Sequence, residues 1–550
     1  MNIELNTGTT QQTLKTDKQN LTILEVFQEN GITQLHTPCG GNGTCKKCLV
    51  FVEGKGEVLA CQTVAEDGMV VTIPEEEKSV IAENGNCYLY PADGRYDLVA
   101  ACDIGTTTVV CHLLDGKSGR RLATVSAPNA QRSFGADVIS RIQAAEGDGL
   151  ELLHGAIRDQ ISHMLEQLLE RAGRKGPVNF LAVAGNTVMS HLFADLSPKS
   201  IGVVPFTPLS LFGDMHTGAS LGLELCEQVY IVPAIAGYVG GDITADLIAV
   251  KMHSAQLAAK YSGEAITADQ TEEKVQSANV ETEAASENVA EQQKESQSVN
   301  GKMNEPETLL LDIGTNGEMV LGKAGDYVCC ATAAGPAFEG AEITMGMPAA
   351  DGAISKVWME GAKLCVSVIG GKEATGICGS GLIDALAVFL ETGLMDETGL
   401  LADEDEVEEE LVDYLDEDEN GSCIWLTDTV KITQADIRKL QLAKASIAAG
   451  IRILLSEKGL QMSEVEQVIL AGGFGSFLNK KSAAAIGLIP SELLDVTVSV
   501  GNAAGEGAIS AALSGEAREE LARLQKEMCY VELSTHKKFS DEYMEQMYFE

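Results

Sequence analysis

Two patterns of apolar and polar positions divide the 550-residue chain, and the change between them falls near residue 98. Before it, "LTILEVFQENG" places apolar residues at helical spacing and ends at Gly31, a suitable helix C-cap. The apolar runs in "CLVFVEG", "GEVLACQT" and "MVVTIP" are short and typical of strands. After residue 98, apolar strands alternate with helical segments such as "ISHMLEQLLERAG", which is typical of an α/β fold. The patterns predict a small β-rich domain at 1–75, a linker at 76–97 and an α/β region beyond.

The α/β region contains an internal repeat. "LVAACDIGTTTVVCHLLD" (98–115) and "TLLLDIGTNGEMVLG" (308–322) each run from an apolar strand through Asp-Ile-Gly-Thr into a second apolar strand. Because a repeated strand–turn–strand unit indicates duplication, the sequence predicts two related halves at 98–253 and 308–515. The polar, Ser-, Glu- and Gln-rich segment at 254–307 is predicted to be a low-complexity insertion, and 516–550 a C-terminal extension.

The net charge restricts the partners that the surface can bind. A formal charge of −42 argues against nucleic acid and against anionic membranes, since both carry negative charge. The chain has no apolar run of transmembrane length, and "MNIELNTGTTQQ" lacks the apolar core of a signal peptide. We therefore expect a cytoplasmic protein with no membrane or nucleic-acid partner.

The repeated turn has the chemistry of a phosphate-binding site. Glycine lets the backbone turn tightly and approach phosphate oxygens, while threonine hydroxyls and backbone N–H groups donate to them. Asp103 and Asp312 stand at the ends of the two strands, where a carboxylate can hold hydrated Mg²⁺. One such turn is weak evidence because aspartate and glycine are ordinary turn residues, and two copies are stronger. The predicted phosphate contacts are Gly105, Thr106, Thr107, Thr108, Gly314, Thr315, Asn316 and Gly317.

Three other segments are candidates for nucleotide contacts. Gly472-Gly473-Phe474-Gly475 follows an apolar strand, so a purine can lie against its backbone; a plain strand-to-helix connection is the alternative. Asp242, in "GGD", is predicted to position Mg²⁺ or water, and an ordinary turn aspartate is the alternative. Glu318 and Glu506 are weaker candidates near the nucleotide. "GICGSGLID" suits either a phosphate site at a helix N-terminus or a helix-packing turn.

Cysteines are concentrated in "HTPCGGNGTCKKC", which holds Cys39, Cys45 and Cys48, with Cys61 on a following strand. Zinc sites typically use two Cys-x2-Cys pairs, and here only Cys45 and Cys48 form one. A plant-type [2Fe–2S] site has the spacing Cys-x4-Cys-x2-Cys with a distant fourth cysteine. This loop has one residue more before its second cysteine, as in the adrenodoxin-like variant. The loop glycines let N–H groups face bridging sulfides, so we predict a [2Fe–2S] cluster on the four cysteines and interpret His36 as a loop residue.

The other cysteines are scattered, often in apolar stretches. In a reducing compartment thiols seldom form structural disulfides, and we interpret these residues as small members of the core. They are Cys87, Cys102, Cys111, Cys226, Cys329, Cys330, Cys365, Cys378, Cys423 and Cys529.

The motifs at Asp103, Asp312 and Gly472 resemble, in their order, those of the ASKHA superfamily of actin, heat-shock chaperone and sugar-kinase ATPases. The resemblance implies two RNase-H-like halves with ATP and Mg²⁺ in the cleft between them. It also implies that Asp103 and Asp312 flank the metal and the attacking water. With the N-terminal domain, the expected fold class is α/β and multi-domain: a β-grasp, ferredoxin-like [2Fe–2S] domain followed by a duplicated ASKHA ATPase.

The whole architecture, apart from 254–307, closely resembles the reductive activators of corrinoid proteins. Family-like stretches include "NAQRSFGADVISRI", "AVAGNTVMSHLF", "AGYVGGDITAD", "ATAAGPAFEGAEI" and "GNAAGEGA". The resemblance implies an ATP-hydrolysing iron–sulfur enzyme that returns one electron to inactive Co(II) in the corrinoid protein of a methyltransferase system. An upstream low-potential electron donor would serve it.

Three other functions stay open at this point. Activators of radical dehydratases or aromatic-CoA reductases are also ASKHA proteins, but their [4Fe–4S] cluster bridges two subunits and they lack a ferredoxin domain. A nucleotide-binding redox regulator and a sugar kinase with a fused ferredoxin are the other two. The sequence leaves the corrinoid partner, the methyl donor and the electron donor open. It also leaves the oligomeric state open, with a homodimer among the arrangements.

Overall fold

The computed structural model describes residues 1–7, 10–32, 35, 37, 41, 43, 47–73, 85, 87–147, 149–250, 306–418 and 421–549. Several sequence predictions concern residues outside these ranges. They are the cluster ligands Cys39 and Cys45, the loop residue His36, most of the insertion at 254–307 and part of the linker at 76–97.

The N-terminal module is built from β1 (Asn2–Thr7), β2 (Thr10–Lys15), α1 (Ile23–Glu29), β3 (Leu49–Val52), β4 (Gly56–Leu59) and β5 (Val70–Thr72). The strands form one mixed sheet in the order β2-β1-β5-β3-β4, with β1 and β5 parallel. Thr22 caps α1 by accepting from the Glu25 N–H, and Gly31 follows the helix with a φ of +69°, as predicted. The apolar face of α1, including Val26 and Phe27, packs into the core beneath the sheet.

The first half of the α/β region comprises β6 (Leu98–Ile104), β7 (Thr108–Asp115), β8 (Arg121–Pro128), α2 (Val138–Ala144), α3 (Gly149–Arg171), β9 (Val178–Gly185), α4 (Thr187–Phe193), β10 (Met215–Thr217), β11 (Cys226–Ile231) and α5 (Gly241–Val250). Strands β6, β7 and β8 form an antiparallel meander, and β9 and β11 extend the sheet in parallel with β6. The sheet order is β10-β11-β9-β6-β7-β8. Helix α3 buries Ile157, Ile161 and Leu165 in the core on one face of this sheet.

The second half begins with β12 (Thr308–Ile313), β13 (Gly317–Lys323), β14 (Asp326–Thr332), β15 (Ala353–Glu360), β16 (Lys363–Val368), β17 (Gly376–Ile377) and α6 (Gly379–Thr392). It continues with β18 (Leu415–Asp418), β19 (Gly421–Trp425), β20 (Lys431–Thr433), α7 (Gln434–Lys458), β21 (Gln467–Ala471), α8 (Gly472–Phe477) and α9 (Lys480–Ala485). It ends with β22 (Thr497–Gly501), α10 (Ala503–Leu513), α11 (Gly515–Glu527), β23 (Met528–Tyr530) and α12 (Phe539–Glu545).

The two halves share one strand topology, which confirms the predicted duplication. The main sheet of the second half has the order β22-β21-β12-β13-β14-β23. Its first five strands correspond to β11-β9-β6-β7-β8: in each case an antiparallel meander adjoins two parallel strands. Two small sheets, β16-β15-β17 and β18-β19-β20, are additions to the second half.

Helices α5 and α10 pack against each other and join the two halves. Both helices contribute to one apolar core that also includes Phe180 of the first sheet and Ile469 of the second. The helices approach closely because Gly507 has no side chain: a Cβ there would lie 2.1 Å from the Ala245 carbonyl oxygen. The position of one half relative to the other is therefore set where α5 contacts α10.

Residues 87–97, in the described part of the predicted linker, contact both halves. The Tyr88 N–H donates to the Ala249 carbonyl in the first half at 2.8 Å. The Asp93 N–H donates to the Leu513 carbonyl in the second half at 3.0 Å. This segment is therefore held by backbone hydrogen bonds on either side of the α5–α10 contact.

The scattered cysteines only partly follow the prediction that they are separate small core residues. Cys102 and Cys111 form a disulfide, because β6 and β7 place them directly opposite each other with their Cα atoms 4.2 Å apart. Cys529 is exposed, and Cys87 and Cys365 are half-buried. The prediction is correct for the buried free thiols Cys226, Cys329, Cys330, Cys378 and Cys423.

Candidate functional site

The two Asp-Ile-Gly-Thr turns face each other across a cavity of about 470 Å³ between the halves. The volume is within the usual range for a small-molecule site. Of the predicted catalytic and nucleotide residues, those that line it are Asp103, Gly105, Thr106, Thr107, Thr108, Asp242, Asp312, Gly314, Thr315, Asn316, Glu318, Gly472, Gly473 and Phe474. The duplication thus brings together segments more than 200 residues apart.

Gly317 and Gly475, also predicted to contact nucleotide, are not among the lining residues. A Cβ at Gly317 would lie 2.9 Å from Ile447, so this glycine lets α7 pack against β13. Gly475 lies within α8, where its Cβ would point toward Leu470 at 3.4 Å. Gly317 therefore serves the packing beneath its turn, whereas a side chain at Gly475 would make only an ordinary contact with Leu470.

Each turn spans three residues between antiparallel strands, 105–107 in the first half and 314–316 in the second. The first turn is held from outside by Asn129, whose amide donates to the Gly105 carbonyl at 2.7 Å. Arg141, which is fully buried, donates to the Thr106 carbonyl at 2.5 Å. Burial, and after it the nearby Arg132, lowers the pKa of Arg141 to about 9. Sequence reasoning missed Arg141, because its role depends on a contact across 35 residues.

Glu339 connects the tips of the two turns. The Thr107 hydroxyl donates to one of its carboxylate oxygens at 2.6 Å, and the Thr315 hydroxyl donates to the other at 3.0 Å. Burial raises the pKa of Glu339, while these two hydrogen bonds act in the opposite direction. A carboxylate therefore occupies the gap between the two turns. Glu339 lies in the family-like stretch "ATAAGPAFEGAEI", but its neighbours in the sequence do not indicate a contact with both turns.

Five carboxyl groups lie together beneath the turns: Asp103, Asp242, Asp246, Asp312 and Glu318. Burial, and then the charge of Asp242, raises the pKa of Asp103 to about 7. Burial and the mutual repulsion of the group also raise the pKa values of the other four. Because these shifts reflect burial and repulsion between the ionised forms, a bound cation would favour ionisation of the group. Asp246, in α5, is 0% exposed and was not among the predicted residues.

The end of β21 approaches Asp312 through a glycine. Gly472 has a φ of +83°, and a Cβ there would lie 2.2 Å from the Asp312 carboxylate. Two residues later, the Phe474 ring stacks on Phe338 with 5.5 Å between ring centroids. This aromatic pair gives the cavity an apolar wall beside its charged floor. Gly379 at the start of α6 also lines the cavity. A Cβ there would clash with the Phe338 carbonyl oxygen and lie 2.7 Å from the Phe474 ring, so "GICGSGLID" borders the site and packs there as well.

Two of the predicted cluster ligands lie side by side in the N-terminal module. Cys48 and Cys61 are buried, and their sulfur atoms are 3.2 Å apart. They meet because β3 and β4 pair antiparallel, with Leu49 opposite Leu59. Gly41 and Gly43, in the loop before them, have φ values of +88° and +77°, which glycine adopts readily. Cys39 and Cys45 lie outside the described residues.

Three domain families match the chain in the order of these structural parts. A family described as a 2Fe-2S iron-sulfur cluster binding domain matches residues 16–76. The RACo middle region matches 98–255, and the C-terminal domain of RACo, the ASKHA domain, matches 306–550.

Relatives extend the match over nearly the full chain. The corrinoid activation enzyme RamQ of Eubacterium limosum is 30% identical in an alignment that covers 93% of this chain and 93% of the relative. This chain belongs to the family of reductive activators of corrinoid proteins. A second activator-like relative, the [Co(II) methylated amine-specific corrinoid protein] reductase of Methanosarcina barkeri, is 25% identical over 432 residues, 71% of this chain and 65% of the relative. One solved structure is named "Reductive activator for corrinoid,iron-sulfur protein". It is 30% identical in sequence, its TM-score is 0.65, and the match covers 100% of this chain and 98% of that chain.

Membership in the activator family confirms the predicted fold class and the prediction of an ATP-dependent iron–sulfur enzyme. A 2Fe-2S domain together with an ASKHA domain favours this family over the dehydratase activators and sugar kinases considered above. None of the helices in the described part of the chain is both long and apolar enough to cross a membrane. The domain boundaries and the roles of individual site residues stay predictions.

Proposed function

We propose that this activator uses ATP to transfer one electron from a [2Fe–2S] cluster to the cobalt of a corrinoid protein, which converts inactive Co(II) to Co(I). One observation carries the proposal: the module with Cys48 and Cys61 contacts the wall of the cavity formed by the two phosphate turns, where Lys47 lines it. An electron-transfer module and an ATP site in contact can act on one partner together.

Cys39, Cys45, Cys48 and Cys61 would hold the cluster as thiolates. The 3.2 Å between the sulfur atoms of Cys48 and Cys61 compares with the roughly 3.8 Å expected for two thiolates on one tetrahedral metal at about 2.3 Å. When bound, the cluster supplies one electron at low potential. Each turnover therefore requires an upstream low-potential donor to replace that electron.

The two turns would bind the phosphates of ATP through backbone N–H groups and threonine hydroxyls, and Gly472, Gly473 and Phe474 would border the adenosine. Asp103, Asp242 and Asp312 line the same cavity and would hold Mg²⁺ and the attacking water. Within the described residues, no three His, Cys, Asp or Glu side chains are arranged to hold a metal ion directly. That arrangement suits Mg²⁺, which keeps several waters and binds through few carboxylates together with phosphate oxygens.

ATP is needed because the electron moves to an acceptor with a lower reduction potential than the cluster. Plant-type clusters have potentials near −400 mV, and the Co(II)/Co(I) couple of a ligated corrinoid is expected to lie lower. If the step were about 100 mV uphill, equilibrium would oppose it roughly fifty-fold, at about 59 mV per tenfold for one electron. In the proposal, the ATP-bound form binds the Co(II) partner so that an axial cobalt ligand is weakened, which raises the cobalt potential. ATP and water become ADP and phosphate in the same cycle.

The test is anaerobic and follows the partner. The reduced activator is mixed with a Co(II) corrinoid protein, and the Co(I) absorption is recorded with ATP, with a non-hydrolysable analogue and without nucleotide. We expect Co(I) only with ATP. Co(I) formed equally without ATP, or absent with every candidate corrinoid protein, would contradict the proposal.

Two variants test the cluster ligands in the same assay. Cys45→Ala should abolish both the [2Fe–2S] spectrum and Co(I) formation, whereas Cys423→Ala removes a buried free thiol elsewhere and should preserve both. An unchanged spectrum in Cys45→Ala would place the cluster on other residues. Light scattering of the purified protein decides between a monomer and the homodimer, and cell fractionation tests the expected cytoplasmic location.

A further inference from the structure

The cluster module bridges the mouth of the cavity and contacts both halves of the ATPase. On the first half, the Gln28 amide donates to the Ser133 carbonyl at 2.6 Å, and the Thr37 hydroxyl donates to the Arg132 carbonyl at 3.2 Å. On the second half, the Lys47 ammonium donates to the Gly346 carbonyl at 3.3 Å. The docking of the module onto both halves therefore depends on the distance between the two halves.

Lys47 belongs to the cluster loop and to the cavity at once. It directly precedes Cys48, so its Cα lies about 3.8 Å from that of a predicted cluster ligand. It also lines the cavity that contains both phosphate turns. No other residue of the N-terminal module is among the described residues that line this cavity.

Lys47 is one of two cations among the described residues that line this cavity, whose other charged lining residues are acidic. The acidic lining residues are Asp103, Asp242, Asp312, Glu318 and Glu339. Among the described lining residues, the cations are Lys47 and Arg132. A polyphosphate brings further negative charge into this cavity, and a charged hydrogen bond from an ammonium group is among the stronger contacts available to it. Both cations stand at the contact between the cluster module and the ATPase, since the Arg132 carbonyl accepts from Thr37.

We propose that Lys47 binds the terminal phosphate of ATP and thereby couples nucleotide binding to the docking of the cluster module onto the two halves. The inference rests on the proposed function of the cavity as the ATP site and deepens it by naming a contact from the electron-transfer module. ATP binding holds the module across the two halves, and loss of the terminal phosphate weakens that hold. By thermodynamic linkage, docking of the module raises the affinity for ATP by the same factor by which ATP shifts the docking equilibrium.

Binding of nucleotide to the full-length, cluster-loaded protein tests the proposal. Calorimetry compares AMP-PNP and AMP for the wild type, Lys47→Met, Lys47→Arg and the control Lys55→Met. Lys55 lies in the same module but pairs with Glu66 on its exposed surface, so its substitution removes the same charge away from the cavity. We expect Lys47→Met to weaken AMP-PNP binding about tenfold or more, because one charge-assisted hydrogen bond is lost. AMP binding should be unchanged, and Lys47→Arg should recover most of the loss.

The outcomes separate this inference from the function on which it rests. If the wild type fails to bind AMP-PNP, the proposed ATP site itself is wrong. If the wild type binds but Lys47→Met and Lys55→Met have equal affinities for AMP-PNP, only the role of Lys47 is overturned. An equal loss of AMP and AMP-PNP binding in Lys47→Met would also overturn it, since that pattern indicates a structural defect. The [2Fe–2S] spectrum of each variant verifies that the cluster loop has folded.

Discussion

Asp103→Asn should make the stability of the protein less sensitive to pH between 6 and 8. The pKa of Asp103 is raised to about 7, by burial first and by the charge of Asp242 second. An aspartate in the unfolded chain titrates near 3.9, so only the folded protein binds a proton at this position over that interval. A raised carboxyl pKa means that stability falls as the pH rises through the folded value.

The magnitude follows from proton binding. With a folded pKa near 7, Asp103 is on average about half-protonated between pH 6 and 8, so the free energy of unfolding falls by about 1.4 kcal/mol over these two pH units. Removal of this charge also relieves repulsion on Asp312, which increases the effect of the substitution. Buried His112 and His191 act in the opposite direction, because burial lowers their pKa values and the unfolded chain takes up their protons.

The assay is therefore a difference between two variants. Urea unfolding of the Mg²⁺-free full-length protein, followed by far-UV circular dichroism, is measured at pH 6, 7 and 8 for the wild type and Asp103→Asn. The histidine contributions cancel in the comparison, and the variant should lose about 1.4 kcal/mol less than the wild type from pH 6 to 8. Asp405→Asn, at an exposed position, is the control and should follow the wild type. Parallel pH profiles for the wild type and Asp103→Asn would refute the electrostatic account of the carboxyl group.

Two further substitutions test the walls of the cavity. Gly472→Ala should weaken nucleotide binding tenfold or more in calorimetry, since its Cβ would lie 2.2 Å from the Asp312 carboxylate. Gly361→Ala is the control, because it also places alanine at positive φ but its Cβ meets nothing within 4 Å. It should lower the stability by only the backbone strain of about 1–2 kcal/mol and leave nucleotide binding intact. Equal nucleotide binding by the two variants would contradict the steric argument. Glu339→Gln should raise nucleotide affinity several-fold, because it removes the negative charge held between the two turns. The exposed Glu342→Gln is its control, and a weaker-binding Glu339→Gln would indicate that the carboxylate contributes to the nucleotide site.

The sequence was most informative where structure is local. The turns at Asp103 and Asp312 were identified because strand, aspartate, glycine and threonine follow one another within a few residues, and their repetition predicted the two halves. The strand-like runs "CLVFVEG" and "GEVLACQT", which contain Cys48 and Cys61, were likewise identified, and they include the paired strands β3 and β4. In such segments the chemistry and the backbone conformation are encoded together.

Residues whose role depends on distant contacts were missed. Glu339 reaches the first turn across 232 residues, and Lys47 reaches Gly346 across 299. Asp246 looked like an ordinary polar position of a helix, and only the packing of α5 under the turns makes it part of the carboxyl group. Gly317 was predicted to contact nucleotide because, in the sequence, a glycine that allows close packing cannot be distinguished from one that borders a ligand.

The carboxyl group and the contact between the halves share one helix, which links the site to the position of the two halves. Asp242 and Asp246 lie on α5, whose Ala245 carbonyl faces Gly507 of α10. One residue earlier, Glu506 accepts from Arg121 of β8 through both carboxylate oxygens, at 2.8 and 2.9 Å. A shift of one half against the other must therefore displace Asp242 and Asp246 relative to Asp312. A cation that neutralises these carboxylates would therefore act on the contact between the halves, which the N-terminal module also bridges.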